Sequence, residues 1–148
     1  MIKISVCDDD EGQLTFFKQC FMEYNEKHKE KIEANFYQSV QSLLNEKKFS
    51  PDVYFLDIEL QDGNGLKLAG KIRTRNSKIP IVFITSHEEF MPEAFHVHAY
   101  QYLNEKKNAQ AVENVLNQLA DYFSEQNQIF SFQTYGEMIS LDCRDIIC

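Results

Sequence analysis

Apolar and polar residues follow two repeating patterns along this chain, one typical of strands and one typical of helices. Short apolar runs predict strands over residues 2–7, 31–38, 52–57, 81–84 and 99–103. Apolar residues at three- and four-residue spacing predict helices over residues 13–29, 39–48, 66–75, 88–96 and 109–125. Residues 61–65 contain two glycines and are predicted to form a loop. Because strands and helices alternate, we expect an α/β fold with a parallel sheet covered by helices on both faces.

The pattern changes after residue 126. Residues 129–134 and 138–141 alternate apolar and polar positions around Tyr135-Gly136, which predicts a β-hairpin. Such a hairpin cannot form a stable domain alone, and the sequence stops inside an apolar stretch. We therefore expect residues 1–125 to form one domain, and residues 126–148 to be a linker and the opening strands of a truncated second domain.

Composition and charge exclude several classes of protein. The chain has 148 residues, 43% of them hydrophobic, which is enough for a full core and argues against disorder. Its net charge of −8 argues against nonspecific binding of nucleic acid. No window approaches the roughly 18 apolar residues of a membrane span, and the strand pattern begins at the N-terminus without a signal peptide. The expected location is cytoplasmic, without membrane association.

Acidic side chains follow two of the predicted strands. Asp8 and Asp9 come directly after the first strand, and Asp57 ends the third. If these strands are parallel neighbours, the three acids converge at one edge of the sheet, where function lies in such folds. Carboxylates this close repel one another unless a cation or a proton is bound among them. The sequence therefore predicts a divalent metal and chemistry on one of the acids.

An aspartate can attack a phosphoryl donor and form an acyl phosphate, with Mg²⁺ neutralising the donor oxygens. In this interpretation Asp57 is the nucleophile, and Asp8 and Asp9 hold the metal directly or through water. Glu59 offers its backbone carbonyl to the metal, and Thr85, at the end of the fourth strand, supplies a hydroxyl to the phosphoryl group.

These segments together resemble the receiver domain of two-component response regulators. The motifs that carry the resemblance appear in the family's order, at residues 7–10, 57–60, 65, 81–86 and 100–103. Residues 83–90 and 93–99 resemble the LytTR branch, in which an all-β DNA-binding domain follows the receiver. Residues 132–141 and 145–147 resemble the first strands of that domain, so the resemblance indicates a LytTR-family regulator truncated before most of its output domain.

The resemblance implies a flavodoxin-like, doubly wound (βα)5 fold with strand order 2-1-3-4-5. It implies a phosphorelay in which a sensor histidine kinase phosphorylates Asp57, with Mg²⁺ held by Asp8, Asp9, Asp57 and the Glu59 carbonyl. Thr85 and Tyr102 would be the switch residues. The family also implies a homodimer on activation, DNA binding and transcription regulation through the C-terminal domain, and no enzymatic activity beyond Mg²⁺-dependent self-phosphorylation and autodephosphorylation.

Two alternatives stay open, the first of them because of a departure from the family pattern. The position of the family's usual active-site lysine falls on Glu105, so Lys106 or Lys107 would have to replace it. Glu105 supports the first alternative, a phosphorylation-independent pseudo-receiver that acts as a dimerisation or interaction module. The other alternative is a phosphatase with an aspartyl nucleophile, in which Glu59 would be the second acid.

Overall fold

A computed structural model describes residues 1–85, 87–103 and 108–138, with the backbone alone for residues 127–138. The chain divides into two compact units, residues 1–113 and 114–148. The strands are β1 (Ile2–Cys7), β2 (Ile32–Tyr37), β3 (Val53–Asp57), β4 (Glu59–Leu60), β5 (Gly63–Asn64), β6 (Ile81–Ile84) and β7 (Gln101–Leu103). The helices are α1 (Glu11–Lys27), α2 (Val40–Leu44), α3 (Gly65–Arg75), α4 (Met91–His96) and α5 (Ala109–Met138), and a 3₁₀ turn spans Glu88–Phe90.

Within the described residues, five strands form one parallel sheet in the order β2-β1-β3-β6-β7. The predicted α/β class and the parallel sheet of five strands are confirmed. The predicted order, 2-1-3-4-5, numbered only five strands. It did not include β4 and β5, which lie outside this sheet. These two short strands form a separate antiparallel pair around the segment for which the sequence predicted only a loop.

The central strand β3 is covered on both faces, which explains its continuous apolar sequence. Phe55 meets the rings of Phe17 and Phe21 from α1, with ring centroids 5.7 and 5.8 Å apart. Successive residues of a strand point to opposite faces. Accordingly, Leu56 joins a different cluster, which contains Leu68 from α3. Asp57 follows Phe55 by two residues and therefore leaves the sheet on the α1 side.

Polar side chains explain two of the helix ends that differ from the predicted bounds. α1 begins at Glu11, earlier than predicted, since Asp10 caps it by accepting hydrogen bonds from the first-turn amides. α2 ends at Leu44 rather than Lys48. The Glu46 carboxylate accepts hydrogen bonds from the Lys48 and Phe49 amides at 2.8 and 3.2 Å, which holds this segment in a local turn instead of a helix.

The predicted C-terminal hairpin is corrected by the structure. Residues 129–138 belong to helix α5, which runs from Ala109 to Met138, and residues 139–148 lie outside the described residues. Each residue added to an existing helix gains a backbone hydrogen bond, whereas a lone hairpin is marginal. Gly136 costs a helix only about 1 kcal/mol. Of the helices in the described part of the chain, none combines the length and the apolar sequence needed to cross a membrane.

Candidate functional site

The three acids meet at the carboxyl edge of the sheet. β1 and β3 are parallel neighbours with Cys7 opposite Leu56, so Asp8 and Asp57 leave the two strands side by side. Carboxylate oxygens of Asp8, Asp9 and Asp57 all lie within 4.8 Å of one another. Asp8 is 0% exposed and Asp57 is 2% exposed, while Asp9 is half-buried. The structure therefore brings together the acids that the sequence predicted would converge.

The charge of this cluster makes it suited to a cation. Two carboxylates no more than 4.8 Å apart repel each other by at least roughly 3 kcal/mol at an effective dielectric constant of about 20. Burial of Asp8 and Asp57 keeps water from relieving that repulsion. Mg²⁺ prefers hard oxygen donors and typically uses a few carboxylates together with water. The residues present therefore fit a bound Mg²⁺.

Backbone amides hold two of the acids in place. The Asp10 amide donates to Asp8 Oδ1 at 2.9 Å, and the Asp10 carboxylate in turn accepts from the Gly12 amide at 2.8 Å. The Gln61 amide donates to Asp9 Oδ2 at 3.0 Å. Asp10 thus acts as the cap of α1, and the β4–β5 turn is tied to the acid cluster through Asp9.

Gly65 allows the backbone to pass close to the phosphoacceptor candidate. Its amide donates to the Ile58 carbonyl at 2.8 Å. A Cβ atom at this position would lie 2.1 Å from the Asp57 carbonyl oxygen and 3.0 Å from the Ile58 Cα. No side chain fits in that space, so glycine is required by close approach at the first residue of α3.

Asp62 joins the β4–β5 turn to α2. Its carboxylate accepts hydrogen bonds from the Val40 and Gln41 amides at 2.9 and 3.1 Å. These two bonds hold the pKa of Asp62 below its ordinary value. The sequence predicted only a loop residue here, but the structure shows a carboxylate that connects two segments beside the site.

We expect Asp62 to stabilise the fold in a pH-dependent way. Its pKa is lowered in the folded state, so its contribution is present above its unfolded pKa of about 3.9 and is lost as the pH falls through the folded value. Urea denaturation should show Asp62→Ala to be less stable than wild type at pH 7, and the difference should narrow below about pH 4. A difference that stays constant down to pH 3 would contradict this assignment.

Thr85, His87 and Tyr102 form a connected group beside the acids. Thr85 is buried, with 1% of it exposed, and its hydroxyl oxygen accepts a hydrogen bond from the His87 amide at 3.2 Å. The Tyr102 hydroxyl donates to the His87 carbonyl. Burial, with the nearby Glu89, Glu88 and Glu93, raises the pKa of Tyr102, so the hydroxyl keeps its proton. Both predicted switch residues therefore contact the same short segment.

His87 was not among the predicted site residues, yet it links two acidic side chains across the site. Its Nε2 lies 3.3 Å from Glu59 Oε2 and its Nδ1 lies 3.3 Å from Glu89 Oε1. Asp57 pairs with Ile84 in adjacent strands, so the residues just beyond these strand ends are neighbours. The pairing of Asp57 with Ile84 is the signal that could have placed Glu59 near His87, because these two residues follow the paired strand ends.

Cys7 lies directly beneath the acids but is not a candidate nucleophile. It is fully buried, and its thiol donates to the Ser39 carbonyl at 3.5 Å. Burial, together with Asp62, Asp8, Asp57 and Asp9, raises the pKa of Cys7 to about 12. Because the thiolate is the reactive form, this cysteine is inert at neutral pH.

Some of the predicted site residues fall outside the described residues. Lys106, the predicted substitute for the family lysine, is one of them, as are Glu105 and Lys107. Glu59 is described, and its exposed side chain faces His87. The use of its backbone carbonyl as a metal ligand stays a prediction.

The fold and the acid cluster define a class of protein, and a family comparison identifies it. The family model of the response regulator receiver domain matches residues 4–117. The chain therefore belongs to the response regulator receiver family, a signalling domain of two-component systems rather than a catalytic enzyme. This assignment removes the phosphatase alternative.

Curated relatives agree with the family. The sensory transduction protein LytR of Staphylococcus haemolyticus is 32% identical over 111 residues, which is 75% of this chain and 42% of that protein. An uncharacterized response regulatory protein of Yersinia pestis is 29% identical over 120 residues, covering 81% of this chain and 49% of that protein. The chain thus spans about half or less of the length of these relatives.

Solved structures support the same fold. The BeF3-activated receiver domain of DrrB aligns with a TM-score of 0.70 and 19% identity, over 82% of this chain and 98% of that one. The response regulator TrrA of Thermotoga maritima, in complex with Mg²⁺ and BeF, aligns with a TM-score of 0.67 and 22% identity, over 80% of this chain and 99% of that one. At these identities the likeness shows the receiver fold alone.

Proposed function

We propose that this chain is the phosphoacceptor module of a two-component response regulator, and that Asp57 receives the phosphoryl group. The observation that carries the proposal is the convergence of Asp57 with Asp8 and Asp9 within 4.8 Å at the carboxyl edge of the sheet. Carboxylates held this close repel one another, and a bound cation would offset that repulsion and leave one of them able to react.

The residues divide the chemistry among them. An Asp57 carboxylate oxygen attacks phosphorus and forms the new P–O bond, while the bond to the donor's leaving group breaks and its electron pair departs with that group. Asp8, Asp9, Asp57 and the Glu59 carbonyl would hold Mg²⁺, which neutralises charge on the phosphoryl oxygens. Thr85 directs its hydroxyl at one of those oxygens. Lys106 is our candidate for the cation that pairs with another.

The contacts around His87 provide a route from phosphorylation to a change of shape. When the Thr85 hydroxyl moves to donate its proton to a phosphoryl oxygen, the hydrogen bond that its oxygen accepts from the His87 amide has to move with it or break. The Tyr102 hydroxyl donates to the His87 carbonyl, so a shift of His87 also displaces the hydrogen-bond acceptor of Tyr102. We propose that Thr85 and Tyr102 are the switch, and that the segment from His87 to β7 responds. Such a switch needs a differential stabilisation of only a few kcal/mol.

Partners and output follow from the family and the relatives. Receiver domains take their phosphoryl group from sensor kinases, so a sensor histidine kinase is the proposed donor. A relative of Staphylococcus aureus is named a transcriptional regulatory protein. We therefore propose that the full-length protein regulates transcription through a LytTR-type DNA-binding domain that follows helix α5, and that it dimerises when phosphorylated. The proposed location is the cytoplasm, where the kinase would transfer its phosphoryl group to this chain.

The direct test is chemical phosphorylation. We expect incubation with acetyl phosphate and Mg²⁺ to add one phosphoryl group, detected by intact mass spectrometry and mapped to Asp57 by trapping the acyl phosphate with hydroxylamine. Chelation of Mg²⁺ should prevent the addition. The absence of any covalent addition to folded wild-type protein would reject the proposal and favour the pseudo-receiver.

Thr85→Val is the matched control for the switch, because valine keeps the shape of threonine and removes the hydroxyl. We expect this variant to bind the phosphoryl analogue beryllofluoride at Asp57 but not to transmit its effect. Amide NMR shifts at His87 and Tyr102 upon beryllofluoride addition should be large in wild type and small in Thr85→Val. Equal shifts in the two proteins would exclude Thr85 from the switch.

A further inference from the structure

Gln13 is a buried polar side chain that the chemistry described so far does not use. It lies in the first turn of α1 and is 1% exposed. Neither its Oε1 nor its Nε2 has a hydrogen-bond partner among the described residues. An unsatisfied buried amide costs free energy, and where native proteins keep one it commonly serves a ligand, an ion or an ordered water. The carboxamide therefore needs an explanation.

The ring contacts of α1 place Gln13 at the level of the acid cluster. Phe17 contacts Phe55 edge-on, with centroids 5.7 Å apart. Gln13 precedes Phe17 by one helical turn on the same buried face, about 6 Å along the helix axis. Asp57 follows Phe55 by two residues on the same face of β3, about 6.6 Å along the strand. α1 runs antiparallel to the strands. The step back from Phe17 to Gln13 and the step forward from Phe55 to Asp57 therefore both lead toward the carboxyl edge of the sheet.

The direction of the side chain agrees with this placement. Long side chains of helices point back toward the helix N-terminus, which for α1 is the end beside the acids. The backbone connects them as well, because the Gln13 amide donates to Asp10 Oδ1 at 3.4 Å and the Asp10 amide donates to Asp8 Oδ1 at 2.9 Å. The carboxamide is therefore aimed toward the cluster.

We propose that Gln13 is a positioning residue for the cation site, and that its carboxamide holds water of the hydration shell of Mg²⁺. This rests on the proposed function and deepens it. Magnesium keeps several of its waters when bound to proteins, and each bound water offers protons to an acceptor. The Gln13 Oε1 can accept one of them while Nε2 donates to a second oxygen. A neutral amide does this without adding charge to three carboxylates.

Gln13→Met tests the inference, because methionine has a similar length and volume without polar atoms. We expect the dissociation constant for Mg²⁺, measured by calorimetry with MgCl₂ alone, to rise by about 10-fold, as for other groups that orient metal ligands from the outside. The thermal midpoint of the cation-free protein should stay the same or rise, because an unsatisfied amide is removed. An Mg²⁺ dissociation constant within twofold of wild type would overturn the inference.

Two further variants make the result unambiguous. Gln19→Met changes an exposed glutamine of the same helix that bonds Glu23 and should leave Mg²⁺ binding unchanged. Gln13→Leu also removes the carboxamide and should weaken Mg²⁺ binding in the same way; it serves if Gln13→Met does not fold, and wild-type affinity in it then overturns the inference. If wild-type protein binds no Mg²⁺, the proposed function fails as well, whereas equal binding by wild type and Gln13→Met rejects only the role of Gln13.

Discussion

Replacing Asp57 with asparagine should abolish covalent phosphorylation and, in the absence of a divalent cation, should make the protein more stable. The carboxylate is 2% exposed and lies within 4.8 Å of two others. Its removal relieves repulsion worth about 1–3 kcal/mol. For a domain of this size we expect the thermal midpoint in EDTA to rise by about 3–10 °C. Calorimetry in EDTA measures the change.

Added Mg²⁺ should reverse the order of the two proteins. Wild type gains stability because the cation binds only the folded state, whereas Asp57→Asn has lost a ligand and should gain less. Glu33→Gln is the matched control, since Glu33 is exposed on β2 and its neutralisation should leave both midpoints within about 1 °C. A lower midpoint for Asp57→Asn in EDTA would show that Asp57 has a structural role, and would remove the electrostatic argument for the cation.

The elements that sequence predicted well are those whose local signals and tertiary packing agree. β1 and β3 are short apolar runs that end in acids, and their burial on both faces in a parallel sheet is what such runs require. The convergence of Asp8 and Asp57 follows from that topology alone, because parallel neighbours deliver their carboxyl ends to one edge. Thr85 follows the same rule at the end of β6.

The features that sequence missed depend on side chains that meet only in the folded chain. The turn that ends α2 depends on Glu46, and the start of the same helix, capped by Ser39, receives a further acceptor from Asp62, 22 residues away. His87 contacts Glu59 only because β3 and β6 are adjacent. The hairpin prediction failed for a different reason. Alternation over residues 129–134 favours a strand locally, but these residues continue a helix that already exists, and propagation of a helix needs no new nucleus.

Gln13 illustrates a further limit of sequence reasoning. Gln13 lies four residues before Phe17, so helical spacing places it on the apolar face of Leu14, Phe17 and Phe21. A glutamine in the first turn of a helix is nevertheless ordinarily assigned to solvent. Its burial follows from the position of its turn against the acid end of β3. Functional sites are where residues that do not suit their local surroundings are expected. The Gln13 carboxamide indicates such a site only because its buried surroundings are known.

Gly65→Ala should impair both folding and phosphorylation through the backbone of Asp57 itself. The added Cβ would lie 2.1 Å from the Asp57 carbonyl oxygen, a contact that only a displacement of backbone can relieve. Overpacking of this kind costs about 1–3 kcal/mol. A displacement of even about 1 Å at a reacting group can slow a reaction on the order of 100-fold. We expect a lower urea midpoint and at least a 10-fold slower phosphorylation by acetyl phosphate.

Gly70→Ala separates the effect of this contact from the general effect of replacing glycine in α3. A Cβ at Gly70 meets nothing within 4 Å, so the helix should gain about 0.5–1 kcal/mol from the substitution, and phosphorylation should proceed at the wild-type rate. The pair thus predicts opposite changes in stability from the same chemical substitution five residues apart. If Gly65→Ala were phosphorylated as fast as Gly70→Ala, the position of the Asp57 backbone would not limit the reaction, and the close approach at Gly65 would serve the fold alone.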